Sequence, residues 1–299
     1  MTNFIQLVFT GLAVGCNYAL IAIGFTIIFK ASQAINFAQG EFLLVGAFVA
    51  SVAMFTWHLN FFVAVLIGMA VAAAIGVLFE RVALRRMIGR PPFVIIMITI
   101  GLNVLLTTAV AILLSNMHVE FLRPPAPFDF VGSFQVGQIT LLYNYLATIG
   151  ATVLVCALLY AFFRFTRYGL AMRATAIDQE AALAVGIKLS TVYALAWAIA
   201  GATATIGGVF LAASQPTFDQ SLGNTALVAF PAIILGGLDS IVGAVVGGIA
   251  IGVIYELAQG YSPASLGTGF DVIVPYLAMI LVLLVRPYGL FGSRKVERI

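Results

Sequence analysis

Gly11-Leu12-Ala13-Val14-Gly15-Cys16-Asn17-Tyr18-Ala19-Leu20-Ile21-Ala22-Ile23-Gly24-Phe25-Thr26 holds no Asp, Glu, Lys, Arg or His. It lies within an apolar run from 5 to 29, long enough for the roughly 20 residues a helix needs to cross a bilayer. Its apolar residues do not alternate with period two, so it does not read as a half-buried strand. Similar runs recur along the chain. Of 299 residues, 63% are hydrophobic and only 8% charged, and mean hydropathy is +1.13. A soluble domain is nearer a quarter charged, and a chain this apolar could not cover its surface with polar groups. The bilayer has to be the solvent. Backbone groups there must bond internally, which leaves helices or a closed barrel, and the long runs select helices.

The expected fold is an all-α polytopic membrane protein with one domain over 1–299. Candidate spans are 5–29, 34–56, 61–80, 92–115, 142–163, 191–213, 224–238, 241–259 and 271–286. That makes about nine helices, with a range of eight to ten. The second begins with polar residues and the seventh is short, so either reads as a half-helix or a re-entrant segment. No Lys or Arg precedes the first run, so it reads as a retained helix and not as a signal peptide. Cys16 and Cys156 sit inside apolar runs as small packing residues.

Charge sets the orientation. Of the fourteen Lys and Arg, all but Arg123 fall on one side of the nine spans. They cluster at Lys30; at Arg81, Arg85, Arg86 and Arg90; at Arg164, Arg167, Arg173 and Lys188; and at Arg286, Arg294, Lys295 and Arg298. The positive-inside rule makes that side cytoplasmic. The N-terminus is then expected outside and the C-terminus inside. The loop 116–141 faces out, and its Pro124, Pro125 and Pro127 oppose helix. The net charge of +3 gives no reason to expect nucleic acid.

One cytoplasmic segment, 164–190, carries punctuation. Thr175 and Asp178 resemble a capping box, Ile177, Ala181 and Ala184 or Val185 recur at helical spacing, and Gly186 is placed to end a helix. The expectation is one helix of two to three turns over 175–186, flat against the membrane, with Ser190 and Thr191 capping the next span.

The chain shows no catalytic machinery of its own. A phosphate-binding loop needs Gly-Lys-Ser/Thr, and none of Lys30, Lys188 and Lys295 follows a glycine. No nucleophile–base pair or metal constellation stands out, so the chain reads as a non-enzyme with no resident cofactor or metal. Polar residues inside apolar runs are the remaining candidates for function. Asn17, Tyr18, Asn36, Gln39, Glu41 and Asn103 are candidates for a translocation path or gate, and hydrogen-bonded packing across helices is the alternative reading of each. Glu256 and Asp271 fall near the outer surface and read as wet. Gly243-x-x-x-Gly247 and Gly248-x-x-x-Gly252 suit close helix approach, within the chain or between copies.

Glu180-Ala181-Ala182-x-x-x-Gly186 resembles the cytoplasmic loop motif of bacterial ABC-importer membrane subunits. Gly11–Thr26, Ile35–Phe42, Gly236–Ala244 and Val285–Gly292 look like the permeases of branched-chain amino acid (Liv-type) importers, the shorter of the two paralogous subunits. The family often has His where Gln39 stands and Pro where Val242 stands. The resemblance implies a permease driven by alternating access, with ATP and Mg held by partner subunits. It implies three kinds of partner besides the lipid bilayer: a second homologous permease, two cytoplasmic ABC ATPases, and a periplasmic or extracellular binding protein. It places the chain in the bacterial inner membrane as a multi-pass protein. It assigns ATPase coupling to Arg173, Ala174, Thr175, Asp178, Glu180, Ala181, Ala182, Gly186 and Ile187. The competing class is a stand-alone ion-coupled transporter or channel for small amino acids or amides, whose support is the Asn36–Glu41 cluster.

Overall fold

The computed structural model describes residues 2–87, 91–116, 132–136, 139–215, 218, 220–262 and 269–292. Arg90, His118, Arg123, the loop prolines, Arg294, Lys295 and Arg298 lie outside these. The described residues form an all-α membrane protein. Six helices are long and apolar enough to cross a membrane: α1 (Thr2–Ser32), α3 (Phe61–Val82), α4 (Pro92–Asn116), α5 (Tyr143–Phe165), α8 (Leu189–Ala213) and α11 (Ile241–Tyr261). Shorter apolar helical segments are α2 (Gln39–Phe55), the stretch Gln220–Gly236, and α12 (Phe270–Val285). The small helices α6 (Arg167–Ile177) and α7 (Gln179–Ala184) join α5 to α8.

Alpha-1 is the central staff, packed against α11, α8 and α5. Its contact with α11 is backbone on backbone. A side chain at Gly15 would strike Ile249, and one at Gly252 would strike Gly15. The Gly248–Gly252 spacing therefore serves packing within the chain. Gly243 and Gly247 do the same against Gly236 and Ala232. Without a hydrophobic drive between helices in lipid, such close approach is what holds them. Alpha-3 and α8 are antiparallel, with Gly76 against the Trp197 carbonyl and Gly201 against that of Ala72.

The expected second and seventh spans are broken. Alpha-1 ends where Gln33 takes a left-handed φ of 55°. Residues 33–38 then turn back into the bundle before α2 begins. The expected helix over 224–238 is three pieces: a 3-10 turn at Gln220–Asn224, α9 (Thr225–Val228) and α10 (Phe230–Gly236). Tyr276 of α12 steadies α9 by donating its hydroxyl proton to the Leu227 carbonyl, 2.9 Å. Gly237, at φ 107°, ends α10. The N–H groups of Leu290 and Phe291 donate to the carbonyls of Leu235 and Gly236, at 2.8 and 3.0 Å. Broken backbone at membrane depth is tolerated only where protein or water satisfies it.

Described basic residues gather at one end of this bundle. Lys30 and Arg173 line one cavity, and Phe29, Asp239 and Tyr288 share another. The antiparallel α3–α8 pair brings Arg81 and Arg85 beside the first turn of α8. At the opposite end, strands β1 (Ser133–Val136) and β2 (Ile139–Leu142) form an antiparallel hairpin. The Gln6 side chain clamps it to α1, donating to the Thr140 carbonyl and accepting from the Thr140 N–H, both 2.9 Å. Glu256, expected to be wet, is buried.

Candidate functional site

Four of the six path candidates converge where the two broken segments meet. Asn36 builds the turn that starts α2: its Oδ1 accepts from the Ala38 N–H at 3.0 Å, and its Nδ2 donates to Gln39 Oε1 at 3.2 Å. Gln39, fully buried, donates to the carbonyl of Ala200 in α8 at 3.1 Å. Gly24 of α1 leaves room for that amide, since a side chain there would occupy its place. Ala200 is eleven residues into α8, about 16 Å from its start at helical rise, so the cluster lies well inside the bundle. The Asn36 and Gln39 side chains are thus both engaged in hydrogen bonds within the bundle.

Glu41 and Asn103 are placed differently. Asn103 on α4 donates to Glu41 Oε1 at 3.1 Å and to the Phe37 carbonyl at 3.4 Å. Glu41 is 4% exposed; the Thr107 hydroxyl lies beside its carboxylate, and Oε2 makes no hydrogen bond of good geometry among the described residues. Gly223 of the 3-10 turn presses on it: an added Cβ would lie 2.7 Å from Oε1. Beside them opens a cavity of about 240 Å³, walled by Phe25, Phe37, Phe230, Ile100 and Leu227, with Asn103, Gly223 and Asn224 as its polar and small residues. Phe230 meets Phe25 edge-on at 5.8 Å and stacks on Phe37 at 6.0 Å.

Asn17 and Tyr18 stand apart, a further two turns along α1. Tyr18 packs edge-on against Tyr255 at 6.5 Å, and Asn17 is buried with Oδ1 unpartnered. Sequence reading missed Thr99, whose hydroxyl accepts from the Phe37 N–H at 3.2 Å, and also Gly223 and the three phenylalanines. The shortness of the run 224–238 marked this segment as irregular, but nothing in the sequence singled out Gly223.

The second site is the loop 164–190. The expected single helix over 175–186 is two helices with a break at Asp178. Thr175 caps nothing; it is buried and its hydroxyl donates to the Ala171 carbonyl at 2.9 Å. Thr166 caps α6, accepting from the Gly169 N–H at 2.9 Å. Asp178 caps α7, accepting from the Ala181 N–H at 2.9 Å. Alpha-7 closes at Gly186, φ 89°, with Gly186 N–H donating to Leu183 O at 2.9 Å and Ile187 N–H to Ala182 O at 3.0 Å, a Schellman end. Alpha-8 starts at Leu189 with no side-chain cap, so Ser190 and Thr191 do not fill that role.

Of the coupling candidates, Ala182 and Thr175 are buried, Ala174 and Ile187 half-buried, and Arg173, Asp178, Glu180, Ala181 and Gly186 exposed. The apolar side chains around α7 point outward. Ile177 is 88% and Val185 77% exposed, and Leu183 is exposed beside them. Sequence reading also passed over Gln179. Its Nε2 donates to the Ala31 carbonyl at the end of α1 at 3.0 Å, and its Oε1 accepts from the Tyr193 hydroxyl of α8 at 3.4 Å. It ties the small helix to the two helices that hold Gln39.

A protein family described as "Branched-chain amino acid transport system / permease component" matches residues 7–283. The chain is 34% identical to a high-affinity branched-chain amino acid transport system permease protein, LivH, of Salmonella typhimurium, over 99% of this chain and 98% of that one. It is 33% identical to LivH of Escherichia coli K12 and 32% identical to BraD of Pseudomonas aeruginosa, each with the same coverage.

Proposed function

Because the chain belongs to the family of branched-chain amino acid transport permease components, we propose that it is the membrane-spanning permease of a binding-protein-dependent ABC importer for branched-chain or related amino acids. It works by alternating access in the bacterial inner membrane. A second homologous permease, two cytoplasmic ATPases holding ATP and Mg, and an external binding protein complete the machine. The chain crosses nine times, the broken segments completing their crossings with non-helical chain. Its basic end faces the cytoplasm and its N-terminus the outside.

The observation that carries this reading is the corner formed by the end of α6 and the short capped helix α7 at the basic end, where Ile177, Leu183 and Val185 are exposed beside Glu180 and Arg173. Large exposed apolar side chains on a polar helix mark a docking surface. The chain has no phosphate-binding loop, so the docked partner supplies the ATP. Gln179 links α7 to Ala31 and Tyr193. From those residues to Gly24 and Ala200, which flank the Gln39 amide, is seven residues along α1 and α8, about 10 Å in each case. A displacement of α7 therefore reaches the polar cluster along two rigid helices. Rocking there opens the cavity inward.

Glu180→Lys and Gly186→Asp test the docking role. The first reverses a charge on the exposed face. The second puts a side chain at φ 89°. Both variants insert normally, and both lose ATPase copurification from gently solubilised membranes together with amino-acid uptake. Normal copurification and uptake in both would return α7 to an ordinary packing helix.

A further inference from the structure

A cavity of about 380 Å³ lies at the basic end of the bundle, and none of the polar cluster around Glu41 lines it. Alpha-1 supplies its floor with Ile27, Lys30 and Ala31, while α5 and α11, both packed on α1, supply its walls. Tyr160 of α5 and Val242 of α11 are each 65% exposed, so the groove between them opens sideways to lipid. Met172 and Arg173 of α6 close its basic end. From Phe163 to Cys156 along α5 is seven residues, about 10 Å, so the groove stays within one half of a hydrocarbon core roughly 30 Å thick. No acidic residue lines it, and among the described residues neither Lys30 nor Arg173 forms an ion pair. A small free anion would leave the apolar trench empty. An uncharged chain would leave the two cations unmatched.

We propose that this groove binds one anionic phospholipid, its phosphate held by Lys30 and Arg173 and one acyl chain lying along Ile27, Leu159 and Val245. Basic pockets between membrane helices hold anionic headgroups in this way. Lys30 is half-buried, so its stem lies against the apolar floor while its ammonium reaches the headgroup. The volume falls within the roughly 300–1,000 Å³ of single-ligand sites, and the second acyl chain stays in the bilayer. The bound phosphate bridges the end of α1 to α6, the helix that leads into the docking corner, and so steadies that corner. The assignment needs a bilayer and not the importer reading, so neither falls with the other.

The test places the full chain, in its native membrane complex, in vesicles of equal parts dioleoylphosphatidylglycerol and dioleoylphosphatidylcholine. After release in mild detergent, the retained lipids are counted by native mass spectrometry. One phosphatidylglycerol stays bound per copy of the chain, in clear preference to phosphatidylcholine. Lys30→Gln lowers that preference about fivefold, the effect of one cation beside an anionic headgroup, and adding Arg173→Gln lowers it about fivefold again. Lys188→Gln, which removes a charge outside the groove, leaves the preference unchanged. Val242→Trp fills the mouth and reduces retention with both cations in place. A second readout leaves the groove unaltered: with Cys16→Ala, N-ethylmaleimide labels Cys156 more slowly in phosphatidylglycerol vesicles than in phosphatidylcholine vesicles, so a poorly folded groove variant cannot mask the result. Equal retention of the two lipids, an undiminished preference in Lys30→Gln, or an equal loss in Lys188→Gln overturns the assignment. Full retention in Val242→Trp, or displacement of the lipid by inorganic phosphate, overturns it in favour of a simple anion site. If Cys156 is unreactive in the complex whatever the lipid, yet labels in the isolated chain, a partner subunit covers the groove and the lipid assignment fails.

Discussion

At the scale of single residues, the site depends on what is missing as much as on what is present. Gly24 leaves space for the Gln39 amide, and Gly223 for the Glu41 carboxylate. Gly223→Ala drives a methyl group into the carboxylate, which can yield only by leaving Asn103. Overpacking of this kind costs typically 1–3 kcal/mol. The expected outcome is a lower unfolding temperature in detergent and reduced uptake, both measurable on one preparation. An unchanged melting curve with full uptake would show that the carboxylate is not fixed where the structure has it. The polar cluster was half legible in the sequence. Asn36, Gln39 and Glu41 stand out because polar atoms are rare in an apolar run. Gly223 and the Ala200 carbonyl do not, because their contribution is geometric and belongs to contacts between segments far apart in sequence.

Among the elements, the long helices were readable outright, while for the second and seventh runs the sequence marked an irregular segment without locating its breaks. A run such as 5–29 is helical whatever surrounds it, since lipid offers its backbone no other partner. Residues 220–236 differ: neighbouring chain satisfies their backbone, so the helix can be interrupted at Asn224 and again at Ala229 without exposing polar groups to hydrocarbon. Hydropathy reports the depth of this segment and not its conformation. The loop at 164–190 shows a related limit. Thr175 and Asp178 are both capable caps, and only tertiary burial of Thr175 decides for Asp178. Gln179, between the break and the acidic turn, gave no signal because a glutamine on a polar helix is unremarkable until Ala31 and Tyr193 are brought to it. Gln179→Ala removes both hydrogen bonds while leaving the docking face intact. ATPase subunits should still copurify, while uptake per ATP hydrolysed falls several-fold, on the order of the 1–3 kcal/mol typical of coupling between sites. Unchanged coupling would mean that α7 transmits through other contacts.

For the whole molecule, described basic residues lie at one end and a clamped hairpin at the other, so the bundle has two chemically different ends. The course of the chain between those ends was not legible in the sequence, because two of the apolar segments change direction or conformation inside the bundle. An ATP-driven importer and an ion-coupled carrier differ at this scale. Uptake into cells should survive a protonophore as long as ATP is maintained, and should stop when ATP is depleted with the membrane potential held. Purified chain in liposomes with an imposed ion gradient should accumulate no leucine. Gradient-driven accumulation by the chain alone would favour the ion-coupled carrier.

The clasp that Leu290 and Phe291 place on the end of α10 has a consequence for biogenesis. The ribosome delivers α10 well before it delivers the residues that accept the task of covering its last carbonyls; α11 and α12 must be inserted in between. During that interval the segment facing Glu41 is incompletely fastened. A chain stalled directly after α12 would therefore sit in the membrane with the end of α10 still uncovered.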